Sequence, residues 1–210
     1  MPKLDSKTIF DALAAKFGDA VHTFTPVSSP EPGSKAQGGV KDEFCQVKPE
    51  KLVEVATFLR DDASMRFDFL QCISAVDWIK EGSIQVVYHL YSYPLRHSFV
   101  IKATTPRDAA LVPSVVGVWP TADWMEREQY DLFGVAFTGH PDLRRLLMPD
   151  DWPGHPMRKD NKEAAEYRGM PTVRYSPLDL LLAYDKAHPQ TEGQRPIMPQ
   201  KPAQPEKKAT

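Results

Sequence analysis

Cysteine is scarce in this 210-residue chain: Cys45 and Cys72 are the only two. They lie far apart with no CxxC, which excludes a zinc site or an iron–sulfur cluster built from thiolates. Both occur in apolar, strand-like segments and read as reduced core thiols of a cytosolic protein. Long apolar runs are missing as well, and none approaches the ~18 residues of a membrane span. Met1-Pro2-Lys3-Leu4-Asp5-Ser6 contains no apolar segment of the kind a signal peptide carries. Charge of one sign is also missing: 26 basic against 28 acidic residues leave −2, so no global field favours nucleic acid or anionic lipid. The sequence has no GxGxxG or Walker A loop to cradle phosphate, and no GxSxG, HExxH or Cys–His dyad. Basic residues are not interleaved with stacking aromatics as nucleic-acid grooves require. These absences point to a cytoplasmic protein, soluble by itself and without a metal–sulfur centre of its own, that is a docking protein more than an enzyme.

Proline, by contrast, is abundant: 20 of 210 residues, about twice the usual ~5%. Such an excess predicts that part of the chain is extended. Ser6 is a plausible N-cap for a helix over 7–17 that Gly18 stops. Val21 to Thr25 alternates as a strand, Pro26 to Gly39 reads as a flexible loop, and Glu43 to Val47 as a second strand. Pro49 opens a helix with Leu52, Val55, Ala56, Phe58 and Leu59 on one face. Strands follow over 67–78, 84–91 and 98–104, joined by turns at Lys80–Ser83 and Pro94–His97. Both faces of Val86 to Tyr91 are apolar, which predicts a central strand covered on both sides. Ala109–Val118 and Ala122–Phe133 read as two helical segments parted at Pro120. The expectation is an α+β single domain over 1–135, a mostly antiparallel sheet flanked by helices. An extended C-terminal arm then runs over 136–185, with one short helix around Pro177–Tyr184. A disordered tail closes the chain over 186–210. The arm carries Leu143, Leu146, Leu147, Met148, Trp152 and Met157, apolar surface that predicts a segment wrapping another protein.

The densest segment is Trp124 to Gly134. On a helix Arg127 and Asp131 are four apart and can pair, while Trp124, Glu128 and Asp131 approach one face and Glu126 shares one with Tyr130. This face is either solvated, or part of an interface or buried network; paired carboxylates can also do acid–base chemistry, but no nucleophile or anion cradle is nearby. Gly139-His140-Pro141-Asp142-Leu143-Arg144-Arg145 is echoed by Gly154-His155-Pro156-Met157-Arg158-Lys159-Asp160. Each copy supplies a turn, a histidine held extended by proline, an apolar anchor and a basic pair. The histidines read as bonding to backbone in turns, as touching a partner, or, with Asp142, as metal ligands of a stand-alone hydrolase. The spacing matches no metal pattern. The basic pairs suit docking onto an acidic or helix-C-terminal surface of a protein partner.

The run from Trp124 through Leu147 closely resembles the signature of the 30-kDa subunit of respiratory complex I, the NADH–quinone oxidoreductase. That signature is an E-R-E helix, then D-L-F-G, G-H-P-D-L-R-K/R and G-H-P-L-R-K-D, all present here with Met157 in place of the leucine. Phe67–Leu70 and Ala75-Val76-Asp77-Trp78 resemble a family strand more weakly, and the likeness spans residues 42–160. It implies a non-catalytic subunit of the peripheral arm that binds no metal, flavin, iron–sulfur cluster or quinone. FMN, the iron–sulfur clusters and the quinone belong to other subunits. It also implies a hetero-oligomer docked on the 49-kDa subunit and neighbouring iron–sulfur subunits. The chain would lie on the cytoplasmic side of the cell inner membrane, peripheral, spanning nothing itself. Carried over by position, Glu126, Arg127, Glu128 and Asp131 hold the helix that frames the interface. His140, Asp142, Arg144, Arg145, His155, Arg158 and Lys159 anchor the arm. The same scaffold in a relative fed by ferredoxin, a reduced deazaflavin or hydrogen is the alternative.

Overall fold

The computed structural model describes residues 4–26, 42–162, 164–172 and positions 178, 181, 182 and 186. The chain divides into two compact units, 1–162 and 163–210. The loop expected over 26–39, except Pro26, lies outside the described residues, as does the tail expected over 186–210, except Lys186. Of the short helix around 177–184, only Leu178, Leu181 and Leu182 are described, and they are helical.

Helix α1 spans Ser6–Phe17 and buries Ile9 and Leu13, four residues apart on one face. Its N-cap is Asp5, not Ser6: the Asp5 carbonyl already accepts the first helical bond, from the Ile9 N–H at 3.2 Å. Strand β1 (Val21–Thr25) pairs antiparallel with β2 (Phe44–Val47). Helix α2 (Leu52–Asp61) follows a tight turn opened by Pro49 and buries Leu52, Val55, Ala56 and Leu59. Phe58, expected on that face, is only half-buried, with the Lys16 ammonium 3.6 Å from its ring centre.

Strands β3 (Phe69–Trp78), β4 (Ser83–Ser92) and β5 (His97–Pro106) complete a sheet of order β1-β2-β5-β4-β3. Its ladders are antiparallel except β2 with β5, so the expected α+β class with a mostly antiparallel sheet is the observed one. One face of the sheet joins α1 and α2 in the core through alternating residues such as Leu70, Ile73, Val86, Tyr88, Phe99 and Ile101.

Two expectations need correction. Residues 109–118 are not helical; Leu111–Pro113 forms β6, parallel to β7 (Ala136–Thr138), and 115–118 is a turn. Pro113 removes a helical donor, and the β-branched Val112, Val115, Val116 and Val118 favour extended backbone. Strand β4 is interior, yet Val87 and Val100 on the sheet's second face stand outside the core cluster. Both are buried all the same, while Val76 and Trp78 on the edge strand are exposed, and Cys72 lies half-buried on this face rather than in the core. Cys45 does enter the core, and burial pushes its thiol up to about 12.

Helix α3 (Ala122–Phe133) runs beside β3 at the sheet edge. Gln129 covers that edge: its Oε1 accepts from the Ala75 N–H at 2.9 Å, and its Nε2 donates to the Ile73 carbonyl at 3.1 Å. The side-chain amide thus occupies the place of a missing neighbouring strand. In the second unit, β8 (Glu166–Tyr167) and β9 (Met170–Pro171) form a hairpin through Arg168 and Gly169, both at positive φ.

Candidate functional site

Helix α3 ends where the chain folds back on it. Gly134 is its C-cap with a left-handed φ of 72°, and its N–H donates to the Tyr130 carbonyl at 2.9 Å. A side chain is excluded here twice, by that φ and because a Cβ would stand 2.5 Å from Nε2 of His155. The imidazole lies over the bare glycine because its Nδ1–H donates to the Asp131 carbonyl at 2.9 Å. The Met157 N–H closes the same approach on the Leu132 carbonyl at 3.0 Å.

Asp131 gathers the preceding stretch. Its buried Oδ2 accepts the N–H groups of Leu146, Leu147 and Met148 at 3.1, 2.7 and 2.8 Å, and its Oδ1 accepts from Arg145 at 3.1 Å. Three successive amides converging on one oxygen form an anion nest, and the anion is the chain's own. Burial alone would push this carboxyl up. The three amides and the guanidinium outweigh it and hold it below the usual range. Arg145 also donates to the Gly154 carbonyl at 3.1 Å, so the first basic pair is tied to the second histidine turn.

A second carboxylate fastens the next segment. Asp77 of β3 is buried and takes a two-pronged contact from Arg107 at 2.8 and 3.1 Å and the Lys159 N–H at 2.8 Å. The Arg107 hydrogen bonds, helped by the Lys159 amide, overcome burial and hold Asp77 below the usual carboxylate range. Arg107 also pairs with Asp160, and Arg158 donates to the carbonyls of Phe133 at 2.7 Å and Arg107 at 3.4 Å.

Glu126 lies on the buried side of α3, accepting from the Ser114 hydroxyl at 2.6 Å and the Val115 N–H at 2.7 Å. Burial pushes its carboxyl up in spite of those bonds. His140 stands 3.9 Å from it. The Asp142 N–H donates to Nδ1 of His140 at 3.0 Å, so the ring proton is on Nε2, 3.2 Å from the Asp123 carbonyl. The same Nε2 also lies 3.2 Å from the Asp123 carboxylate, so this imidazole stands between two acidic side chains of α3.

Most of the eleven residues singled out by sequence therefore meet around α3. Glu126, Arg127 and Asp131 are buried; Glu128, His140, Arg145, His155 and Arg158 are half-buried; Asp142, Arg144 and Lys159 are exposed. Arg127 does not pair with Asp131 as the helical spacing predicted. Its guanidinium lies 5.1 Å from the Trp124 ring centre and donates to the Arg144 carbonyl at 3.4 Å. Asp142 and Arg144 pair with each other at the surface at 2.9 Å. His140, Asp142 and His155 do not converge: among the described residues, no group of three or more His, Cys, Asp or Glu side chains is placed to hold a metal. Sequence reasoning gave no role to Asp77, Arg107 or Gln129. Asp77 had a signal, a charge at an inward position of an alternating strand; Arg107, 30 residues away, had none.

Fold and site define a class: an α+β sheet domain whose outgoing chain is fastened to its last helix and edge strand by buried carboxylates. Residues 45–167 match the family described as the respiratory-chain NADH dehydrogenase 30 Kd subunit, and the chain belongs to that family. It is 43% identical over 164 residues to the C subunit of NADH-quinone oxidoreductase from Roseiflexus sp., covering 78% of this chain and 87% of that one. With the protein of the same name from Chlorobium phaeobacteroides it shares 38% over 162 residues, 77% and 91% of the two chains. A chain in the structure of the membrane-bound sulfane sulfur reductase, an archaeal respiratory membrane complex, has the same fold. Its TM-score is 0.58 at 22% identity, over 91% of this chain and 95% of that one.

Proposed function

We propose that the chain is a non-catalytic scaffold subunit of a proton-translocating NADH–quinone oxidoreductase, complex I. It docks on the 49-kDa subunit and neighbouring iron–sulfur subunits and supports the quinone-reducing module. The observation that carries this reading is the family match over residues 45–167, a span that includes every residue of the clamp. In this reading FMN, the iron–sulfur clusters and the quinone sit in other subunits, and this chain holds none. Electron transfer and quinone protonation depend on sub-Å placement, so a rigid neighbour contributes without touching a cofactor. Asp131 and Glu126 supply that rigidity by fixing α3, and Asp77 by holding Arg107 and the Lys159 amide to β3, while half-buried Glu128 and exposed Asp142, Arg144 and Lys159 offer polar groups to a partner.

The sheet domain over 1–135 is the docking body, and the arm over 136–185 continues onto the neighbour from beyond its clamped stretch, with 186–210 as a loose tail. The chain is peripheral, on the cytoplasmic side of the cell inner membrane; among the described residues no helix is long and apolar enough to cross a membrane. A second reading keeps the scaffold and changes the electron donor, and it draws on the shared fold of a chain from a sulfane sulfur reductase complex. Affinity purification of the tagged chain from gently solubilised membranes, with mass spectrometry and an NADH–quinone assay, tests both. A large complex with NADH oxidation is the expected result. Recovery of a 49-kDa-like partner without an NADH-oxidising module selects the second reading. Recovery of the chain alone overturns both.

A further inference from the structure

An antiparallel sheet with helices on one side turns its other face to water, and such a face is ordinarily polar. Here it is not. The cross-strand rows Phe44–Val100–His89 and Gln46–Lys102–Val87–Ser74 run into a third, Thr104–Gln85–Val76, with Trp78 next along β3. Most of these residues, though not Gln46, Ser74 or Thr104, line a trough of about 290 Å³. Trp78 is 44% exposed and Val76 37%, so a large aromatic and a branched aliphatic side chain meet solvent side by side on an edge strand.

The charge on this face is also incomplete. The Lys102 ammonium stands 3.3 Å from the centre of the Phe44 ring, one row over. Burial there lowers its pKa, and no charged neighbour offsets that loss of water. None of the ion pairs among the described residues includes Lys102, although Asp42 is at the rim of the same trough. A partly desolvated cation beside an aromatic ring, in an apolar floor, is complementary to an apolar segment that brings its own carboxylate.

We propose that this sheet face docks one element of a partner subunit, which lays apolar side chains along Phe44, Val76 and Trp78 and sets a carboxylate against Lys102. The proposal rests on the scaffold reading and names the face and the chemistry through which it works. Trp is enriched among the residues that dominate interface energies, and Trp78 is the anchor on this side.

The test uses the full chain, tagged, in its native complex and alone. In a Cys72→Ser background the thiol of Val76→Cys reports on the trough, while Cys45 stays silent in the core. Maleimide is expected to label it at least tenfold more slowly in the complex than in the free chain. The unmodified chain repeats the measurement through half-buried Cys72 on the same face, which removes any doubt about variant folding. Lys102→Glu is expected to reduce recovery of partner subunits several-fold with an unchanged thermal midpoint, and Lys102→Arg to retain it. Equal labelling rates in a complex that was recovered overturn the docking face and leave the scaffold reading standing. Unchanged recovery with Lys102→Glu overturns the assigned carboxylate, and a thiol cross-link between two copies of this chain overturns the assigned occupant. Failure of the wild-type chain to bring down any partner overturns the scaffold reading and this proposal together.

Discussion

Asp131 and Asp77 are enclosed by amides and guanidinium groups of their own chain, and both are held below the usual carboxylate range. A group with a depressed folded pKa stabilises the fold above its unfolded value, and that stability is lost as pH falls toward the folded value. The midpoint of urea unfolding is therefore expected to hold level near neutrality and to drop below about pH 4, the unfolded carboxylate value. Asp131→Asn should flatten that acid slope; an unaltered slope would show that the nest contributes nothing. Replacing Asp131 by Ala leaves three amides and Arg145 without their acceptor and is expected to cost about 3 kcal/mol. Glu126 has the opposite sign: burial raises its carboxyl, so what it contributes is largest in acid and shrinks as pH rises through its folded pKa. Tyr88 carries a buried hydroxyl with no partner among the described residues. Tyr88→Phe is expected to raise stability by about 1 kcal/mol in the same urea titration, because an unsatisfied buried hydroxyl costs more than it returns.

At the scale of elements, α3 serves three neighbours at once: Gln129 closes the edge of β3, Glu126 holds the Ser114–Val115 turn, and its C-terminus receives the returning chain. Gly134→Ala meets both a left-handed backbone, costing about 1–2 kcal/mol, and the His155 ring. Combined with His155→Ala, the loss should be smaller than the sum of the two single losses, since the second change removes the obstacle to the first. Additive losses would mean that glycine and imidazole are not in contact. Gln129→Ala should speed deuterium exchange at the Ala75 amide, with little change at the centre of β5. Elements were legible where the period was clean: α1, α2, α3 and the strands β1 to β5 lie close to where apolar spacing puts them. The 109–118 segment was not, because its apolar residues satisfy a helical count while Pro113 and four valines favour extended backbone. The pairing of β6 with β7, 25 residues later, is a long-range bond that no local pattern announces.

For the whole molecule, the repeated histidine turns and basic pairs act first within the chain. Arg145→Glu would bring a second carboxylate to Asp131 and release 144–148 from α3. Assembled complex recovered from membranes is expected to fall several-fold. Removing residues 190–210, a segment rich in proline and without an aromatic residue, should leave the yield unchanged. Equal yields from wild type and Arg145→Glu would sink the role of the clamp in assembly.

Local information was enough for the class of fold, the scarcity of metal-binding cysteine, and membership in a family of respiratory-chain subunits. Period, turn residues and an ordered signature are all properties of neighbouring positions. Only tertiary structure decided which charge meets which: Asp131 takes Arg145 rather than the helix neighbour Arg127, and Asp77 takes Arg107 and the Lys159 amide. It alone decided that Lys102 meets the Phe44 ring and, among the described residues, forms no ion pair with a carboxylate. The physical reason is the same in each case. A buried charge is satisfied by whatever donor folding brings within about 3 Å, and separation along the chain sets no limit on where that donor comes from.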